Sequence, residues 1–249
     1  MLAFFRKIRK SLLSENKLTK YFFYALGEIV LVVIGILIAL QINEWNNAKK
    51  SHEKELVYLD EIRVNLQQDM VNIDNVLRFN ESKIPIIQGM MQIFSDTLTT
   101  SERVEVFNAF SKPYTNYEDF SPQRPAFTNM IEAETIDLVR ERELRKALIN
   151  YYEFDYAGGV QYRVRQMNRR IIDKAYPEFF TRENAKALLN ISTVLSTNEE
   201  LNIHKDKWLL SEFYGLIYII NLQNQGLLGF KENIKELIVL IDKTLKNYR

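Results

Sequence analysis

Cysteine is absent from the 249 residues, which removes thiol catalysis, disulfide frameworks, Cys-ligated zinc and iron–sulfur clusters together. Histidine is scarce. His52 and His204 stand far apart, each among charged residues, and read as two solvated imidazoles rather than a metal pair. Eight Gly and five Pro supply too few turn formers for a β-rich architecture. No Gly-rich phosphate loop, Gly-x-Ser-x-Gly elbow or His-Glu-x-x-His motif occurs. The acidic pairs Glu132/Glu134 and Glu153/Asp155 are two residues apart, so on a helix they diverge. The expectation is a chain without catalytic activity, cofactor or metal. An external domain of net negative charge also argues against nucleic acid as a partner.

What is present is an ordinary folded composition, 47% apolar and 26% charged, with one large exception near the start. Tyr21 to Asn43 reads YFFYALGEIVLVVIGILIALQIN, with Glu28 as its single charge. About 20 apolar residues at 1.5 Å rise cross a hydrocarbon core of roughly 30 Å, so the run predicts a membrane helix. A buried core helix rarely stays apolar on all faces for three turns. A cleaved signal peptide fits less well, because Gln41-Ile42-Asn43-Glu44-Trp45 offers no small-x-small cleavage pattern. Tyr21, Tyr24 and Trp45 stand at the ends, where amphipathic rings favour headgroups.

Charge gives the direction. Residues 1–20 hold Arg6, Lys7, Arg9, Lys10, Lys17 and Lys20 against Glu15, a net +5 within a total of +1. The positive-inside rule then puts the N-terminus in the cytoplasm and residues 44–249 outside it. Residues 2–13, with Phe5, Ile8 and Leu12 on one face among basic neighbours, read either as an interfacial helix holding anionic lipid or as an unstructured basic tail.

At 100° per residue, Gly35 and Ala39 fall within about 20° of Glu28. One face of the span thus joins a carboxylate to a small-x-x-x-small pair, which reads as a docking face for another membrane helix or a second copy. The alternative is an interfacial Glu beside incidental small residues.

The remainder predicts an all-α fold: residues 1–20 as a basic segment, 21–43 as the transmembrane helix, and 44–249 as an extramembrane antiparallel helical bundle. Leu56, Leu59, Ile62, Leu66, Met70, Ile73 and Leu77 form a heptad-like stripe, read as the first bundle helix in preference to a coiled-coil stalk. Shorter helices are expected over 82–96 and 100–110. The stretch Ser111 to Pro125, with three prolines, predicts a loop whose Tyr114, Tyr117 and Phe120 either line a ligand or partner site or pin the loop to the core. A short helix and turn over 126–136 is followed by a long helix over 139–175, with Gly158-Gly159 as a kink or break, then a short helix over 181–195. The basic cluster Arg163, Arg165, Arg169 and Arg170 reads as a solvated, ion-paired face in preference to an anion patch. Residues 206–248 predict the central core helix, returning antiparallel to the first.

Two stretches carry a resemblance. FFRKIRKSLLSENKLTKYFFYALGEIVLVVIGILIALQINEWN, over residues 4–47, resembles the opening of a family of uncharacterised membrane proteins from Bacteroidetes-type bacteria. ETIDLVRERELRKALINYY resembles that family's second recurring stretch, although Glu132-Ala133-Glu134 stands where many relatives have a Ser-Gly turn. The resemblance implies an inner-membrane protein with a periplasmic domain, and it supplies no catalytic residues. The functional expectation is an interaction subunit docking a membrane partner, with a sensor-like ligand-binding ectodomain as the alternative.

Overall fold

The computed structural model describes residues 18–180, 182, 186, 190–192 and 202–246, with 18–21 and 24 described by backbone alone. The described elements are helical: α1 Leu18–Met91, α2 Thr100–Tyr114, α3 Pro125–Glu132, α4 Arg142–Glu153, α5 Gly159–Glu178 and α6 Lys207–Lys246, with short 3-10 turns between some of them. No strand occurs among the described residues, as expected of an all-α chain. The chain divides into two compact units, Met1–Val57 and Tyr58–Arg249.

In the first unit, α1 is long and apolar enough to cross a membrane, the one such helix among the described residues. Each residue from Ile29 to Lys50 is exposed, so no described residue covers the apolar run. The amphipathic reading of residues 2–13 lies outside the described residues, as does most of the short helix expected over 181–195.

In the second unit, α6 runs antiparallel to the Tyr58–Met91 part of α1. Rising positions on α1 meet falling ones on α6: Arg63 bonds Asp242 at 3.2 Å, Lys231 bonds Asp74 at 2.5 Å, and Asn80 bonds Gln223 at 3.0 Å. Asp206 caps α6, its Oδ1 accepting from the Leu209 N–H at 2.9 Å. Two apolar clusters form the core. One gathers Leu59, Ile62, Leu66, Ile73, Phe127, Leu148 and Ile234, and the other Ile87, Met90, Phe107, Tyr114, Phe213 and Ile220.

Three expectations are corrected. The 82–96 segment is not a separate helix, because α1 passes through Pro85 to Met91. Pro85 costs a backbone donor, but Ile84, Ile86 and Ile87 beside it pack into the second cluster and hold the helical path. Second, the helix expected over 139–175 starts at Arg142 rather than Val139, and the kink or break expected at Gly158-Gly159 is a break. α4 stops at Glu153, and Gly158-Gly159 opens α5: a Cβ at Gly158 would lie 2.2 Å from Asp155 Oδ2, and Gly159 takes φ +56. Third, α2 extends through Pro113 to Tyr114 rather than stopping at Phe110. Its start is a capping box, with Thr99 Oγ1 accepting from the Glu102 N–H at 3.3 Å and Glu102 Oε2 accepting from the Thr99 N–H at 2.8 Å.

The turn after α3 runs through Glu132-Ala133-Glu134. Thr135 N–H donates to Met130 O at 2.8 Å and Glu134 N–H to Ile131 O at 3.0 Å, the bond pair of a Schellman termination. That motif needs a left-handed residue, and here Glu134 occupies it at φ 53. A residue with a Cβ costs about 1 kcal/mol or more there. Glu134→Gly is therefore expected to stabilise the fold by roughly 0.5–1 kcal/mol after its added unfolded-state entropy, seen as a higher midpoint in urea at constant slope.

Candidate functional sites

Between the two apolar clusters lies a layer of buried polar side chains, and its shared task is to hold residues 115–124. Gln161 is 7% exposed and uses its amide as a backbone surrogate. Its Oε1 accepts from Phe120 N–H at 2.7 Å, while its Nε2 donates to Phe120 O at 3.0 Å and to Tyr156 O. Gln223 Nε2 donates to Glu118 O at 3.3 Å, and Gln223 Oε1 accepts from Asn80 Nδ2 at 3.0 Å. Asn168 Nδ2 donates to Thr115 O at 3.2 Å. Irregular backbone cannot satisfy itself, so side chains from α1, α5 and α6 do it.

Lys83 and Asp69 supply the charges of this layer. Lys83, 3% exposed, donates to the carbonyl oxygens of Tyr114 and Asn116, and its Nζ lies 4.5 Å from the Tyr114 ring centroid. Burial pushes its ammonium down to about 8. Asp69 is fully buried; Oδ1 accepts from Gln123 N–H at 2.7 Å and Oδ2 from Tyr151 OH at 2.8 Å. Burial raises its carboxyl to about 6 against the lowering effect of those two bonds. The hydroxyls of Tyr151, Tyr152 and Tyr156 are pushed up by burial and then by the Asp69 charge, so Tyr151 stays a donor.

The heptad reading of α1 missed these groups. It took Met70 and Leu77 as inward positions, but the buried row is Leu66, Asp69, Ile73, Val76, Asn80, Lys83 and Ile87, and Met70 and Leu77 are half-buried. Spacings of three and four hold without a break when polar residues are admitted.

The loop aromatics divide as pins and one free ring. Tyr114 and Phe120 are 0% and 2% exposed in the second and first cluster respectively, so neither lines an entrance. Tyr117 is exposed. The four arginines also separate. Arg165 pairs with Asp119, Arg169 with Asp173 at 3.6 Å, and Arg170 with Glu212 at 2.7 Å, whereas Arg163 faces solvent. Three of four are thus neutralised by carboxylates, the ion-paired surface rather than a convergent anion patch.

His52 Nδ1 lies 3.1 Å from Glu55 Oε2, so that imidazole is engaged rather than simply solvated. His204 is half-buried, with Nδ1 enclosed. No cluster of three or more potential metal ligands occurs among the described residues.

On α1, Gly35 and Ala39 are exposed and Glu28 half-exposed. A Cβ built at Gly35 meets nothing within 4 Å, so the small-residue face is open to close approach.

These features define an all-helical protein with one long apolar helix and a helical bundle organised around a polar layer. The chain belongs to the family of unknown function DUF6090, whose profile matches residues 28–225. The match takes in the whole loop-holding layer and starts at Glu28, after the first part of the 4–47 stretch. Nothing among curated proteins or solved structures matches the chain.

Proposed function

We propose that this chain is a single-pass, membrane-anchored interaction subunit of a cell-envelope complex, without catalytic activity of its own. Its α1 helix crosses the inner membrane with the N-terminus in the cytoplasm and the bundle in the periplasm. The observation that carries this reading is the apolar run of α1, exposed all round and bearing Glu28, Gly35 and Ala39 on one face. Lipid covers the larger part of such a helix, and a neighbouring helix covers the small-residue face, shielding or bonding the carboxylate. That neighbour is a separate membrane protein or a second copy. The basic residues before Tyr21 favour the assigned direction.

A test compares face with back. Gly35→Leu combined with Ala39→Leu fills the close-approach surface; Val33→Leu combined with Leu37→Val alters the opposite side. The first pair is expected to lower recovery of the complex in mild detergent by about tenfold or more, which corresponds to roughly 1.4 kcal/mol, and the second to leave it unchanged. Glu28→Ala should act in the direction of the first. Unchanged mass and composition after Gly35→Leu with Ala39→Leu would rule out this docking face.

A second reading, a periplasmic ligand-binding ectodomain signalling through a separate membrane partner, is favoured by one feature. Two cavities of about 370 and 200 Å³ open beside α6, and the smaller one has Gln161 and Gln223 of the polar layer in its wall.

A further inference from the structure

Those two cavities share a wall of three rings. Phe154, Tyr156 and Phe230 pack edge to face with centroids 4.9–5.1 Å apart and planes inclined at 62–67°. Phe154 is half-exposed and lines both cavities. The larger cavity has a floor of Ala147, Tyr151 and Leu237 and a rim of Asn150, Asn233 and Glu236. The smaller one is almost wholly apolar, and Gly226 keeps it open: this helix-interior glycine costs about 1 kcal/mol relative to Ala, yet a Cβ there meets nothing within 4 Å. Packing does not require that glycine.

The charges are of one sign. Neither lining contains Lys or Arg; the charged groups are Glu236 on the rim of the larger cavity and Asp155 in the smaller. Asp155 is occupied by the Gly158 N–H at 3.0 Å, whereas no ion pair holds Glu236 among the described residues. Beneath the floor, Tyr151 donates to the buried Asp69, which above its titration adds a further negative charge behind the ring. Aromatic faces, an open carboxylate and neutral amides favour a cation and repel an anion. A volume of about 370 Å³ lies in the small-ligand range of roughly 300–1,000 Å³.

We infer that this groove binds a small organic cation with an apolar body, an alkyl- or arylammonium. Its ammonium sits at Glu236 between Asn150 and Asn233, and its hydrocarbon lies on the rings of Phe154, Tyr156 and Phe230. The inference gives the second reading a ligand class and does not depend on the docking face of α1. Binding is measured on the chain without a partner, so the two fail separately.

The test uses the full chain in discs of zwitterionic phosphatidylcholine, with empty discs as the blank, titrated by calorimetry. Phenylbutylammonium, phenylbutanol and phenylbutanoate share one body and differ in head charge. The ammonium is expected to bind at least about fivefold tighter than the alcohol, with the carboxylate weakest. Glu236→Gln, at an exposed position, should erase the ammonium's advantage and leave alcohol binding intact. Phe154→Ala, also exposed, should weaken both. Heats for the ammonium no larger than with empty discs, equal affinity for the three probes, or an advantage surviving Glu236→Gln would each overturn the inference. Circular dichroism of both variants separates loss of binding from loss of fold.

Discussion

Replacing Asp69 by Ala is expected to destabilise the bundle by about 2–5 kcal/mol. The substitution removes the acceptor of two buried donors, the Gln123 N–H and the Tyr151 hydroxyl. Each donor left without a partner costs roughly 1–3 kcal/mol. At this chain length the loss corresponds to a fall in Tm of roughly 5–15 °C. Asp69→Asn keeps an acceptor for Gln123 and a polar partner for Tyr151, so its cost is smaller. The two variants also separate charge from hydrogen bonding through pH. The folded carboxyl titrates near 6 against an ordinary 3.8, because burial disfavours its charge. Below 3.8 the group is protonated in both states. Between 3.8 and 6 the unfolded chain has released the proton and the folded chain retains it, so stability falls as pH rises, with the loss complete above about 6. The group's contribution is roughly 3 kcal/mol. Asp69→Asn should abolish this slope, improving relative to the parent between pH 4 and 7. Urea midpoints at the two pH values measure it, and parallel curves for parent and variant would show that Asp69 does not titrate in that window.

Arg103→Lys is expected to cost about 2–4 kcal/mol despite keeping the charge. Arg103 is 4% exposed and its guanidinium organises the turn before α2: Nε donates to Ile93 O at 3.1 Å, Nη1 to Leu98 O at 2.5 Å and Nη2 to Ser95 O at 2.8 Å. Three carbonyls in different directions match the planar fork. A lysine ammonium on its single stem cannot reach all three. Charge-assisted bonds of this kind are worth roughly 1.5–3 kcal/mol each, partly offset by hydration after the change. Hydrogen exchange should localise the effect, with amide protection lost first over 92–103. A uniform drop across the bundle would contradict the local role.

The contrast between Arg103 and α1 shows what a sequence makes legible. The apolar run from Ile29 to Leu40 and the three-four spacing of Leu59, Ile62, Leu66 and Ile73 are local signals, and the helices follow from them. Pro85 and Gly158-Gly159 look alike as breakers in one dimension. Only packing decides that the isoleucines beside Pro85 hold the helix, while Asp155 and the positive φ of Gly159 divide the later one. The polar layer was not legible. Asp69, Asn80 and Lys83 look like solvated positions until their distant partners at Gln123, Gln223 and Tyr114 are known. Gln161 and Gln223 likewise carry no local sign that they clamp a loop more than 40 residues away. The groove escaped for a related reason: Phe154 and Tyr156 meet Phe230 only once α6 packs beside them, a contact across more than 70 residues with no local sign.

The central proposal, a membrane-anchored interaction subunit, is tested most directly by purifying the intact chain in mild detergent from its native membranes and weighing what comes with it. A discrete complex is expected, holding either a stoichiometric second membrane protein or a defined number of copies of this chain. A lone monomer in its detergent belt, unchanged across detergents and after cross-linking in the membrane, would contradict it.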